Sequence, residues 1–481
     1  MYWFLPLVVV LYFIIPRPGG SLLWRNLLLF IASIVFYALV EPLFVLVMLS
    51  QTILGWFFCL LIDRWRGKPA GRPIFIVSLV VVLSALLFFK YSDFFIQNLN
   101  LLLHSQFALL ALALPLGISF YTFQILSYLI DLYNGKVSLQ KNLLLFATYV
   151  TLFAQLIAGP IVRYSVVEEQ LTSRAHSLDG FVRGFRRFTI GLGKKVLIAN
   201  TLGQLVELAR SEIHLGASGA GLPVGHLGEQ SVLFALLFLV AFTLQIYFDF
   251  SGYSDMAIGL GLAFGFKFPE NFNYPLISKN LTEFWRRWHM TMSYWFRDYV
   301  YIPLGGSRVS PPRHFINIFV VWMVTGFWHG AGWNFILWGL YMAVFLLVEK
   351  YLVGRLLGRL PGFVSHIYLL VLLMLSWILF ESANLTEAQE LLFALVGQGS
   401  AGLAGTASIY YLQSYLLVMV IAAIGCTPLP ARAVVWIVDK SRRVGQCLMA
   451  VLESAYLGCL LIVVTAFLVD GSFNPFIYFR F

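Results

Sequence analysis

Charge is what this sequence has least of: 32 Lys and Arg with 22 Asp and Glu make up 11% of 481 residues, where a soluble protein carries about 25%. A water-soluble fold of this size could not clothe its surface with so few charges. With 60% hydrophobic and 17% aromatic residues and a mean hydropathy of +0.85, the composition is that of a polytopic membrane protein. It excludes soluble enzymes, disulfide scaffolds and disordered chains. Cysteine is scarce too. Cys59, Cys426, Cys447 and Cys459 lie in apolar stretches without CxxC or Cys/His spacing, so they read as small buried hydrophobes, with neither a disulfide framework nor a metal site expected. The first fifteen residues lack a positive n-region and a small-residue cleavage site, which reads as a retained helix rather than a signal peptide. The net charge of +10 points to basic cytoplasmic loops rather than to nucleic acid.

Apolar runs do recur, at 1–15, 27–40, 43–62, 74–89, 118–132, 143–158, 232–248, 315–327, 335–348, 364–380, 409–424 and 448–469, with shorter or broken ones at 94–114 and 257–268. Roughly ten to thirteen membrane spans fit, with re-entrant or interfacial helices among them, in an all-α polytopic fold. Lipid cannot satisfy a free backbone, so broken segments are expected only where protein or a water-filled cavity surrounds them. The segments 63–72, 163–195, 279–313, 350–359 and 432–443 are basic, whereas 207–229 and 381–390 are acidic. The positive-inside rule puts the basic set in the cytoplasm and both termini outside, provided that 315–348 forms a hairpin or two short helices. There is no internal repeat and no soluble stretch long enough to fold alone, so residues 1–481 read as one membrane domain.

Polar groups within apolar sequence are costly and therefore mark candidates for function. In 245–255, Asp249, Tyr253, Ser254 and Asp255 follow an apolar run. Two carboxylates six positions apart, with hydroxyls between, can line a polar cavity or pair with arginine. Equally, Ser254 and Asp255 can cap a helix that begins at Met256, an explanation that does not reach Asp249. Between 281 and 299, helical spacing puts Trp285, Trp288, Met292, Trp295 and Tyr299 on one face, with His289 beside Trp285 and Met292 and with Arg286 and Arg287 in the same stretch. A basic amphipathic helix with aromatic anchors reads first as an interfacial element on the cytoplasmic side. The 301–308 loop is tight, its glycines allowing positive φ. In 324–334, His329 sits beside Trp328 among three glycines between two apolar runs, where an ionisable group needs a partner or a job. His104, His176, His214, His226, His314 and His366 lie at helix ends or in loops without comparable surroundings.

These same residues carry a resemblance. The stretch Phe248-Asp249-Phe250-Ser251-Gly252-Tyr253-Ser254-Asp255, then Glu270-Asn271-Phe272-Asn273-Tyr274-Pro275, Glu283-Phe284-Trp285-Arg286-Arg287-Trp288-His289, Arg297-Asp298-Tyr299, Pro303-Leu304-Gly305-Gly306-Ser307-Arg308 and Gly326-Phe327-Trp328-His329-Gly330 closely resembles the membrane-bound O-acyltransferases. It is most similar to the bacterial branch that O-acetylates alginate, whose relatives acetylate cellulose and peptidoglycan, and more distantly to the D-alanyl transferases of teichoic acid. With 115–122 and 157–160 the motifs cover about residues 115–345. The resemblance implies a helical ring in the inner membrane, with a tunnel from a cytoplasmic donor entrance to an external acceptor face. It makes His329 the catalytic histidine and His289 the second functional one. Asp249, Tyr253, Ser254, Asp255, Trp285, Arg286, Arg287, Trp288 and Trp328 become tunnel or donor-binding candidates, and no metal or bound cofactor is implied. The donor substrate would be acetyl-CoA or another acyl thioester. A periplasmic serine-esterase-type acetyltransferase would take the acyl group onward, since this chain has no external domain to hold a polysaccharide.

Acyl transfer from a thioester to a hydroxyl needs a base for the attacking oxygen and a proton donor for the leaving thiol. Neutral histidine serves both, and Lys279, Arg286 and Arg287 could attract the donor's phosphates. A transporter or flippase would use Asp249 in a polar pathway equally well, but alternating access usually rests on repeats, and this sequence has none.

Overall fold

In the computed structural model the described residues are 2–218, 230–399, 401–440 and 443–470. His226 and Glu229 lie outside them, as do the side chains of His214 and Cys447. Every regular element among the described residues is helical. In chain order these are α1 (Phe4–Ile14), α2 (Leu23–Val40), α3 (Val45–Trp65), α4 (Gly71–Leu103), α5 (Ile118–Tyr133), α6 (Leu143–Thr151), α7 (Tyr164–Thr172) and α8 (Leu178–Gly193). A π-helical turn, Lys194–Ala199, leads into α9 (Asn200–Ser218), followed by α10 (Val232–Ala263), α11 (Leu281–Arg287), α12 (Met290–Phe296), α13 (Pro311–His329) and α14 (Trp333–Val348). After a second π-turn, Glu349–Val353, come α15 (Gly354–Leu357), α16 (Gly362–Glu381), α17 (Leu385–Leu395), α18 (Thr406–Gly425), α19 (Leu429–Lys440) and α20 (Arg443–Val469).

Eight helical segments among the described residues are long and apolar enough to cross a membrane: α2, α3, α4, α10, Trp333–Leu357, α16, α18 and Leu448–Val469. They turn large apolar side chains outward, Val77, Val80 and Phe88 on α4 and Leu416, Leu417 and Val420 on α18 among them. Apolar surface on this scale requires lipid against it, and the chain is a multi-pass membrane protein. The interrupted run at 94–114 belongs in part to α4, which continues unbroken to Leu103. The run at 143–158 is not a span. Its helix ends at Thr151, and residues 152–162 are irregular and wholly buried. Protein supplies the hydrogen bonds that lipid could not: the Phe153 amide donates to Ser33 Oγ at 3.0 Å, as expected for non-helical backbone at membrane depth. Cys59 and Cys426 are buried as read from the sequence, but Cys459 on α20 is exposed, because α20 presents most of its surface outward.

Two compact units divide the chain: Met1–Phe188 with Ser254–Glu270 and Tyr294–Pro303, and Thr189–Tyr253 with Asn271–Ser293 and Leu304–Phe481. In the first, α1 packs on α2, α2 on α6, and α3 against α4, α5 and α6. A buried polar cluster ties this unit together. Arg174 donates to Tyr12 Oη at 2.9 and 3.1 Å, to Asn26 Oδ1 at 2.8 Å and to the Phe264 carbonyl at 3.0 Å. His176 Nε2 lies 2.7 Å from the same Tyr12 hydroxyl.

In the second unit the expected 315–348 hairpin is formed by α13 and α14, and α14 packs in turn on α16 and α11. Their backbones touch. A Cβ on Gly326 would come within 2.3 Å of the Phe335 carbonyl oxygen, and one on Gly339 within 2.2 Å of that of Trp322, the small-residue approach that membrane helices use in place of a hydrophobic drive. Gly305 and Gly306 take φ of 105° and 58°, as the 301–308 loop requires.

Candidate functional site

Helix α13 ends on Trp328 and His329, where Gly330 turns the backbone extended. His329 is buried. Its ring meets Trp338 of α14 at 5.0 Å between centroids, Phe380 of α16 at 5.2 Å and Trp328 at 4.8 Å.

Helix α11 is set by two caps. Asn280 Oδ1 accepts from the Glu283 amide at 2.8 Å, while the Glu349 carboxylate receives the amides of Leu281 at 2.8 Å and Thr282 at 3.3 Å. Both satisfy N–H groups that a helix start leaves without partners. Trp285 on α11 then lies against Trp322 at 4.7 Å and Trp338 at 6.0 Å. Trp288 lies against Phe272 at 5.1 Å and Trp377 at 6.1 Å.

The expected single amphipathic helix over 281–299 is broken in two. His289 stands at the break with φ of 41°, a left-handed conformation that costs a residue other than glycine roughly 1–3 kcal/mol. The break frees the first amides of α12 and the last carbonyls of α11, and residues 271–273 take up one of each: the Met290 amide donates to the Asn271 carbonyl at 2.9 Å and the Asn273 amide to the Arg287 carbonyl at 2.9 Å. Trp285, Trp288, Met292 and Trp295 are buried rather than set at a lipid interface, which corrects the anchoring reading. In the first unit Trp295 stacks on Phe123 at 4.0 Å.

His289 is fully enclosed. Its Nδ1 lies 3.0 Å from Asn271 Oδ1, and its ring meets Phe250 at 4.6 Å, Trp328 at 6.3 Å and Phe272 at 6.5 Å. Burial pushes the imidazole down to about 3, since desolvation penalises the charged form, so it is neutral at physiological pH. The indole of Trp328 therefore lies against both imidazoles. Among the described residues, His289 Nε2 and the indole nitrogens of Trp285, Trp338 and Trp377 are buried without a hydrogen-bond partner. That is an unusual concentration of unmet polar atoms.

Asp249 sits within α10 and forms a buried ion pair with Lys195 of the first π-turn. Its neighbour Phe250 meets His289. Because α10 runs unbroken from Val232 to Ala263, no helix starts at Met256 and the capping role of Ser254 and Asp255 falls away. Tyr253 is half-buried in the second unit, whereas Ser254 and Asp255 belong to the first. There Asp255 accepts from Arg187 at 3.0 Å, and Arg187 also donates to Glu270 at 2.6 Å. Arg286 is exposed, and Arg287 is held by Glu283 at 3.0 Å.

The second unit thus brings together His289, His329, Trp285, Trp288 and Trp328 from the sequence-derived set. It adds Asn271, Phe250, Phe272, Trp338, Phe380 and Lys195, which were not singled out as site residues. Asn271, Phe250 and Phe272 stand inside the quoted motifs; Trp338 and Phe380 look like ordinary apolar residues, and Lys195 like any loop charge. Among the described residues no group of three His, Cys, Asp or Glu could hold a metal ion.

The sequence model of the membrane-bound O-acyltransferase family matches residues 138–357, which include both histidines. The protein named "Probable alginate O-acetylase AlgI" in Pseudomonas aeruginosa is 39% identical over 406 residues, covering 83% of this chain and 74% of that one. The peptidoglycan O-acetyltransferase of Helicobacter pylori is 33% identical over 83% of this chain and 79% of its own length. The teichoic acid D-alanyltransferase of Bacillus subtilis is 31% identical over 48% of this chain and 58% of its own length. With its helical membrane fold, its motifs and this similarity along most of its length, the chain belongs to the membrane-bound O-acyltransferase family and is an O-acyltransferase.

Proposed function

We propose that the chain acts as one inner-membrane domain, residues 1–481 with both termini outside and a motif-bearing core at about 115–345, and moves an acetyl group from cytoplasmic acetyl-CoA across the membrane for O-acetylation of an exported polysaccharide. Alginate is the polymer we favour. Relatives named for it share 35 to 39% of aligned residues, against 33% for the one named for peptidoglycan. The observation that carries the reading is the indole of Trp328 packed against two buried imidazoles, His289 at 6.3 Å and His329 at 4.8 Å. Two buried histidines in one aromatic shell suit proton transfer in acyl exchange better than they suit transport.

In this reading the acceptor hydroxyl oxygen attacks the thioester carbonyl carbon while His329 takes the hydroxyl proton. The new C–O bond forms, the C–S bond breaks, and the imidazolium returns the proton to the leaving sulfur, so that donor and acceptor exchange one acyl group for one hydrogen. His289 orients the donor or assists the proton. Exposed Lys279 and Arg286 attract the donor's phosphates, as charge-assisted contacts would. Trp285, Trp288 and Trp328 keep the imidazoles in apolar surroundings. Asp249 is neutralised by Lys195 and serves the fold rather than the chemistry, and Tyr253, with Ser254 and Asp255, remains a candidate for lining the path. A periplasmic serine-esterase-type acetyltransferase receives the acetyl group, as the resemblance implies.

The test is radiolabel from acetyl-CoA reaching the periplasmic partner in membranes carrying the wild type or His329→Ala. Loss of roughly 100- to 10,000-fold at unchanged protein abundance is expected; near-normal transfer sinks the assignment.

A further inference from the structure

We infer that Asn271 is a positioning residue that fixes the tautomer of His289, making His289 a proton acceptor at Nε2 and barring it from donating a hydrogen bond there. The inference rests on the reading above, in which His289 takes part in the transfer.

Three donors converge on one atom of Asn271. The Thr291 backbone amide lies 3.3 Å from Oδ1, the Thr291 hydroxyl 2.8 Å and His289 Nδ1 3.0 Å. A backbone N–H can only donate, so the Asn271 atom facing it must be the carbonyl oxygen rather than the amide nitrogen. An amide oxygen can only accept, so the ring nitrogen opposite it must carry the imidazole's proton. A neutral imidazole has one N–H, and with it on Nδ1 the lone pair is left on Nε2. That nitrogen is buried without a hydrogen-bond partner among the described residues. The backbone adds its own constraint. The left-handed φ of 41° at His289 is held in place by the same residue, because the Asn271 carbonyl accepts from the next amide, Met290, at 2.9 Å. Asn271 therefore grips the break between α11 and α12 with its main chain and sets the proton with its side chain.

The consequence is a direction for chemistry. A bare Nε2 accepts from a hydroxyl and cannot stabilise the developing oxyanion of the thioester carbonyl, which needs a donor. His289 can thus assist only as a second proton acceptor beside His329, and the oxyanion's donors must be other groups.

Two readouts test this on the full-length protein in detergent or nanodiscs. Nitrogen-15 NMR of histidine-labelled protein, taken as the difference from His289→Gln, is expected to show Nδ1 protonated and Nε2 bare. In Asn271→Leu that preference is lost, and kcat falls about 10- to 100-fold, the usual cost of removing a residue that orients a histidine, while KM for acetyl-CoA holds. Asn271→Asp keeps an accepting oxygen and restores both the tautomer and most of kcat, and it carries the test should the leucine variant fail to fold. A wild-type proton on Nε2 overturns the inference, as does a raised KM for acetyl-CoA at unchanged kcat in Asn271→Leu. Full activity in His289→Gln with the tautomer as expected overturns instead the functional reading of His289, so the two failures are distinguishable.

Discussion

Each unit sets a histidine among aromatic rings, half-buried in the first and fully buried in the second, yet the two are used differently. In the first, His176 joins Tyr12, Arg174 and Asn26, and the hydrogen bonds run to side chains and carbonyls far apart in the sequence, such as Tyr12 to Phe264. In the second, His289 spends one nitrogen on Asn271 and leaves the other unmet, with three indole nitrogens likewise unmet among the described residues. In the first cluster His176 Nδ1 is the one atom left unmet among the described residues, and the rest of its polar atoms hold the fold. The second keeps polar atoms that the fold does not use, and those are the atoms a substrate can use. Leaving buried polar groups unsatisfied costs stability, and an acyl-transfer site is a reason for such a cost to persist.

Acid would break this contrast most strongly. Burial first, then Arg174, Arg25 and Arg17 push the His176 imidazole down to about 4, and burial pushes His289 down to about 3. Each takes a proton near 6.5 in the unfolded chain, so between those values the unfolded state binds more protons and stability rises with pH. The contribution is full above about pH 6.5 and declines on acidification, to about pH 4 for His176 and about pH 3 for His289. Denaturation midpoints in detergent against pH should flatten in the upper part of this window for His176→Gln and through its lower end for His289→Gln. Equal profiles for the two variants would remove the distinction.

A smaller effect is expected from Arg174→Met. It leaves the Asn26 oxygen without its donor and deprives Tyr12 of two others, at a cost of about 3 kcal/mol, while acyl transfer per folded molecule stays at the wild-type level. A specific activity that fell with stability would show that the first unit's cluster is coupled to the chemistry. Smallest is Asn280→Ala, which removes the α11 cap for about 1 kcal/mol but loosens the helix that carries Trp285 and leads to His289. Here transfer per folded molecule should drop several-fold although the melting temperature barely moves.

Much of the site was legible because polar residues are conspicuous in apolar sequence: His329 and His289 needed no structure to stand out. The readings that failed did so for local reasons. Helical spacing over 281–299 could not reveal the left-handed turn at His289, because the residues that stabilise the break, Asn271 and Asn273, lie outside the window. Ser254 and Asp255 have capping side chains, but whether a helix begins at Met256 depends on whether α10 continues through it. The run at 143–158 is apolar enough to span, and only its packing shows that part of it is buried loop.

By itself, then, the sequence determined the solvent, the helical class and the family, and it singled out two candidate histidines, because scarce charges in apolar runs and tightly spaced motifs are local properties of the chain. Only the tertiary structure decided that Asp249 is neutralised by Lys195, that the tryptophans of 285–295 face inward, and that Asn271 holds the proton of His289. Those are contacts between residues 18 to 172 positions apart, and no local pattern encodes which distant partner will satisfy a buried polar atom.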